Sequence, residues 1–165
     1  MPPEAHFDVT QLDQTRIVAD RAAIRRFNPQ RFEMEQLDGI FETDPALSLV
    51  IGYKDVRPDE FWVRGHMPGR PLMPGVIMLE AAAQLCSYFA ATHNVLAPGT
   101  IMGFGGLEEV RFRGPVRPGD RLILVARGER LKARQSIFDV QGFVGSAMVF
   151  HGKVIGVPLP AMPEA

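Results

Sequence analysis

The feature that most constrains this chain is the run Phe61–Gln84, FWVRGHMPGRPLMPGVIMLEAAAQ. Its first part, Gly65-His66-Met67-Pro68-Gly69-Arg70-Pro71, is too dense in glycine and proline for a helix or a central strand. It predicts an ordered loop holding one histidine. The second part starts at Pro74-Gly75 and continues as an apolar run broken by Glu80. Proline suits a first helical turn, because the N–H it lacks would have no partner there. From Pro71 to Ala97 there is no lysine or arginine, and Glu80 is the only acidic residue. A helix apolar on nearly all sides is one that other elements wrap. A bilayer span also needs about 20 mostly apolar residues. Here Glu80, Gln84, His93 and Asn94 interrupt the run, and an acidic residue near a bilayer centre costs roughly 2.5–3.5 kcal/mol. No membrane span is expected.

The rest of the chain supplies the wrapping. Residues 1–10 show little periodicity and are expected to be loose. Asp20 is a candidate N-cap for a short helix over Arg21–Phe27, ended by Asn28-Pro29. Strands are expected at Leu37–Thr43 and Ala46–Val56, then at Thr100–Phe112 as one strand bent at its glycines, Arg121–Glu129, Gln135–Val144 and Ala147–Val157. One buried helix among about six strands predicts an α+β fold in which a curled antiparallel sheet surrounds the helix. At 165 residues one main domain is expected. It spans residues 28–157, after a lead at 1–27 and before a proline-rich tail at 158–165 expected to be disordered.

Composition narrows the setting. Cys86 is the only cysteine, so no internal disulfide forms and a reducing compartment fits. The N-terminal residues lack a basic stretch followed by an apolar one, so no secretory signal is expected, and the cytoplasm is the expected location. Charge is unevenly spread. Glu33–Glu60 holds eight acidic and two basic residues, and Arg111–Arg134 holds eight basic and two acidic. The two runs can be solvated faces, can pair with each other, or can offer the second as a landing surface for an anionic partner. No nucleic-acid motif accompanies the basic run, so nucleic acid is not an expected partner.

Two side chains stand out chemically. His66 carries an imidazole, a group that can take a proton and return it. Glu80 has Val76, Ile77, Leu79, Ala83 and Leu85 around it in sequence. Burial disfavours a charged carboxylate, and a carboxyl kept neutral can serve as a general acid. Gln84, four residues on, shares its face and can hydrogen-bond it. Gly75 begins the helix, where free N–H groups and the helix dipole favour a partly negative oxygen. The glycines at Gly103, Gly105 and Gly106 lack the lysine and hydroxyl of a phosphate loop, and His6, His93 and His151 have no metal-ligand spacing.

The segment Gly65–Val76 followed by Leu79-Glu80-Ala81-Ala82-Ala83-Gln84 closely resembles the FabZ-type (3R)-3-hydroxyacyl-acyl-carrier-protein dehydratases. That family reads G-H-F-P-G-x-P-x-x-P-G-V-x-x-x-E-A-x-A-Q. Glu108–Asp120, EEVRFRGPVRPGD, is similar to a second family segment. The resemblance implies a hot-dog fold, a homodimer or trimer of dimers, and sites at the dimer interface where His66 of one chain faces Glu80 of another. It implies loss of water from a 3-hydroxyacyl thioester, with His66 taking the C2 proton and Glu80 helping the hydroxyl leave. Gly75 would polarise the thioester carbonyl, Gln84 would orient Glu80, and Val76 and Met67 are further expected substrate-binding positions. Neither metal nor redox cofactor is implied. The implied partner is acyl carrier protein with its phosphopantetheine-linked acyl chain, met by Arg111, Arg113 and Arg117. Related FabA-type enzymes, which also isomerise, carry Asp in place of Glu80, so simple dehydration is expected. Other tasks on the same fold are coenzyme A esters, a specialised pathway, or acyl binding without catalysis. Two departures stand out. Met67 replaces a phenylalanine, and Pro29–Asp38 loses the family's histidine and gains acidic residues, a change expected to leave the catalytic pair untouched.

Overall fold

The apolar run becomes helix α2, Gly75–Thr92, in a computed structural model that describes residues 1–161. Every residue from Ala81 to Ala90 is buried. By length and composition alone this helix would cross a bilayer. Here a protein sheet takes the place of lipid, which is why all its faces are apolar.

Among the described residues the sheet has seven strands: β1 (Ala19–Asp20), β2 (Gly39–Asp44), β3 (Leu49–Asp55), β4 (Thr100–Phe112), β5 (Arg121–Lys132), β6 (Gln135–Val144) and β7 (Ala147–Pro160). Their spatial order is β1-β2-β3-β5-β6-β7-β4, and every neighbouring pair is antiparallel. This is the α+β hot-dog arrangement, with one strand more than the six expected. The addition, β1, is only two residues, paired Ala19 to Ile40 and Asp20 to Gly39. Such a strand is too short to show alternation in sequence. It leads into α1, Arg21–Ile24, capped by the Asp20 carboxylate, which accepts the Ala23 N–H at 2.8 Å. α1 is shorter than the expected Arg21–Phe27, because the chain tightens after Ile24, whose carbonyl takes the N–H groups of both Phe27 and Asn28.

Alternation along the strands sorts side chains between two faces. Val50, Leu122, Leu124, Phe138 and Val140 meet α2 on the inner face. Leu49, Ile51, Tyr53, Ile123 and Val125 form a second core on the outer face, with Val9, Phe7 and Leu12 packed over them. The N-terminal residues, expected to be loose, are therefore a cover on the sheet. Gln141 of β6 fastens it. The Gln141 side chain accepts the His6 N–H at 2.9 Å and donates to the Glu4 carbonyl at 2.8 Å. His6 Nε2 also lies 3.2 Å from Asp139 Oδ1.

β4 is the single bent strand the glycines predict. Its pairing with β7 slips between Phe104 and Gly106 and again between Glu108 and Arg111. Among the described residues its far edge pairs with no strand, because β4 ends the sheet. β7 runs to Pro160, so Pro158–Pro160 are paired strand rather than the start of a disordered tail; residues 162–165 lie outside the described residues. The prolines fit because Ala161 donates its N–H to Gly99 beside β4, so by alternation Pro158 and Pro160 turn their nitrogens the other way. On that side β6 pairs no further than Ser136 with Gly156.

Candidate active site

His66 is held by backbone on both sides. Its N–H donates to the carbonyl of buried Trp62 at 2.7 Å, and its own carbonyl accepts the Leu72 N–H at 2.9 Å. Its Nδ1 lies 2.8 Å from the Leu72 carbonyl oxygen. A carbonyl only accepts, so Nδ1 carries the proton, and in the neutral ring Nε2 is left with a bare lone pair. The loop then docks through Met73, whose N–H donates to Val116 O at 2.8 Å.

Glu80 is half-buried on α2. Its Oε1 accepts the Gln84 side-chain N–H at 2.8 Å, the expected helical pairing. Gln84 is itself buried, and every edge of its amide is in use. Nε2 also donates to Met34 O at 2.6 Å, and Oε1 accepts the Gln36 N–H at 2.9 Å. Both groups facing Nε2 are pure acceptors, so the amide has only one workable orientation. Its backbone carbonyl accepts from Asn28 Nδ2 at 2.8 Å. The divergent segment 29–38 therefore reaches Gln84, while no bond from it goes to His66 or Glu80 among the described residues. It does so through backbone atoms of Met34 and Gln36, whose geometry survives side-chain change. No side-chain pattern announces such contacts. The Asn-Pro and the nearby Gln at 36 mark only a turn.

The N-terminus of α2 supplies a third group. Its first internal bonds come from the N–H groups of Ile77 and Met78, both to Pro74 O. The N–H groups of Gly75 and Val76 take no partner among the described residues. Glycine is needed at 75 for a reason sequence did not reveal: a Cβ there would lie 2.5 Å from Cζ of the Phe112 ring. Phe112 thus joins the site from β4. Val76 and Met67 are both exposed.

Arg111, Arg113 and Arg117 are all exposed, and the first two flank Phe112. Arg113 Nη2 is 2.9 Å from His151 Nε2. Burial, and then the Arg113 charge, hold the His151 imidazole below its usual pKa. Part of the basic run is instead consumed internally: Arg121 Nε lies 2.6 Å from Asp55 Oδ1, and its guanidinium stacks 4.4 Å over Tyr53. Among the described residues no hydrogen bond or ion pair joins His66 to Glu80 within the chain, and no cluster of three or more His, Cys, Asp or Glu side chains stands ready for a metal.

Residues 28–153 match the profile of the FabA-like domain. The chain is 34% identical over 128 residues to the 3-hydroxyacyl-[acyl-carrier-protein] dehydratase FabZ of Desulfotalea psychrophila, covering 77% of this chain and 85% of that one. It is 34% identical over 136 residues to the enzyme of the same name from Syntrophobacter fumaroxidans, covering 82% and 91%. Among solved structures, the dehydratase heterocomplex ApeI:P from Xenorhabdus doucetiae superposes with a TM-score of 0.70 at 15% identity, over 82% of this chain and 90% of that chain.

Proposed function

This chain belongs to the FabA-like family, and from that premise we propose that it dehydrates (3R)-3-hydroxyacyl thioesters, carried on acyl carrier protein, to trans-2-enoyl thioesters in fatty acid biosynthesis. The observation that carries the reading is the state of the two functional groups. His66 has Nδ1 committed to Leu72 and Nε2 free, and the Glu80 carboxyl is oriented by a saturated Gln84. The first leaves Nε2 able to take a proton, and the second holds the Glu80 carboxyl in one orientation.

In the reaction, His66 Nε2 removes the C2 proton. The C–H electrons move into the carbonyl, whose oxygen becomes enolate-like against the free N–H of Gly75. The C3–O bond then breaks, Glu80 protonates the departing hydroxyl, and the proton taken by His66 restores Glu80. The net loss is one water. In keeping with the resemblance, the working site of this proposal joins His66 of one copy to Glu80 of another. The open edge of β4, carrying exposed Phe104, Leu107 and Phe112, is the surface proposed for that homodimer, with a trimer of such dimers as the alternative assembly. Arg111, Arg113 and Arg117 receive the acidic carrier beside Phe112. The cytoplasm is the proposed location, where Cys86, its thiol pushed far up in pKa by burial, stays reduced.

The test supplies one (3R)-3-hydroxyacyl group on carrier protein and on coenzyme A and follows the enoyl product. Turnover is expected on the carrier protein, weakening as salt rises. His66→Ala and Glu80→Gln should each lower kcat by about 10²–10⁴-fold. A folded wild-type protein with no turnover on either carrier overturns the reading. Near-normal turnover in either variant removes that residue from its role.

A further inference from the structure

Lys54 has no part in this chemistry, yet its side chain is fully buried. It sits near the end of β3 on the inward face it shares with Val50 and Gly52. Its Nζ lies 2.8 Å from Oε1 of Glu60, whose side chain is 9% exposed. The approach lacks hydrogen-bond direction, and Nζ has no aligned acceptor. The contact is therefore an attraction of charges. Burying an ammonium is costly, and stripping away its one counter-charge costs more than replacing the pair by apolar groups. So expensive a feature needs something to hold.

What it holds is the segment that presents His66. Glu60 Oε1 also accepts the Arg57 N–H at 3.3 Å. The Glu60 carbonyl accepts the Val63 N–H at 3.0 Å, closing a turn around buried Trp62. The Trp62 carbonyl in turn accepts the N–H groups of Gly65 at 3.2 Å and His66 at 2.7 Å. A charge on the rigid sheet is thus linked through one turn to the backbone of the base. The other loop residues from Arg64 to Arg70 are exposed, so on its N-terminal side the loop leans on this turn, as it leans on Leu72 and Met73 on the other.

We propose that Lys54 is a positioning residue for the dehydration: its ammonium anchors Glu60, and the turn Glu60–Val63 sets where His66 stands. This rests on His66 being the base. Lys54→Met keeps the methylene volume and deletes the charge; Lys54→Arg keeps the charge. The measurements are kcat and KM for the carrier-protein thioester, the melting transition, and the rate at which diethyl pyrocarbonate modifies His66, located by mass spectrometry. Lys54→Met should remain folded, lose roughly 10–100-fold in kcat with KM little changed, and show several-fold faster modification of His66. Lys54→Arg should recover most of both. Wild-type kcat in Lys54→Met overturns the proposal, and so does a lower kcat with unchanged His66 reactivity, which would mark a purely structural pair. Should Lys54→Met fail to fold, the double variant Lys54→Met/Glu60→Met removes both buried charges and is judged by the same two readouts. Full turnover in His66→Ala would sink the base assignment instead, while His66 reactivity would still report on the anchor.

Discussion

The two halves of the site are held by different means. The proposed acid half is fixed by burial: Gln84 is 3% exposed and contacts Glu80, Met34 and Gln36 at once. The proposed base half is fixed by backbone. His66 rides on an exposed loop and depends on hydrogen bonds at Trp62 and Leu72. A disturbance of packing should therefore reach Glu80 first, and a disturbance of loop anchors should reach His66 first.

The sharpest way to break this contrast is Gln84→Leu. It removes the donor to Glu80 and strands the Met34 carbonyl and the Gln36 N–H, at about 1–3 kcal/mol for each unsatisfied buried group. Denaturant unfolding should show the loss together with a fall in kcat. If kcat fell alone, Gln84 would not be the fastening of the acid half. A smaller effect is expected from Gly75→Ala. The new Cβ collides with Phe112, but that ring is half exposed and can swing aside. We expect kcat/KM to fall roughly tenfold, about 1.4 kcal/mol, with the melting temperature nearly unchanged. Adding Phe112→Ala should recover much of it, as a coupled pair in a double-mutant cycle.

The mildest test uses pH. Asp38 sits between the lead and the loop before His66, accepting from Arg21, from Arg57 at 3.0 Å and from the Asp55 N–H at 2.7 Å. Burial alone would raise its pKa, but the hydrogen bonds from Arg21, Arg57 and Asp55 outweigh it and hold the carboxyl below the usual range. A depressed folded value means its stabilisation is complete above the unfolded value, near 3.9. It is lost as pH falls from about 4 through the lower folded value. Hydrogen exchange on acidification should therefore rise over residues 57–66 before it rises in α2, and Asp38→Asn should flatten that acid dependence. Simultaneous loosening of both would erase the distinction between the halves.

Sequence carried the helix and the loop because each breaks an ordinary pattern: one lacks a polar face, the other spends glycine and proline around a single histidine. The hot-dog sheet was legible from alternation wherever strands were long. What stayed hidden has common physical causes. The Gln84 clasp uses the Met34 carbonyl and the Gln36 N–H, which every residue type possesses. The N-terminal cover relies on Phe7, Val9 and Leu12, too scattered to form a period, and on Gln141, which reads in sequence as an exposed polar residue. The reason for Gly75 lies in Phe112, 37 positions along the chain. The charge runs were visible, but that Arg121 of the basic run is engaged was decided by Asp55 in space.

Pro158 and Pro160 bear on how the protein behaves when crowded. A strand flank with open N–H groups is a template on which other chains can stack, the first step toward aggregates. Past the end of β6, β7 has such a flank, and at both positions it offers a ring nitrogen with no hydrogen to donate. A stray strand arriving there finds only half a ladder. The open edge of β4 carries no such block; its exposed Phe104 and Phe112 mark the surface proposed for a second copy.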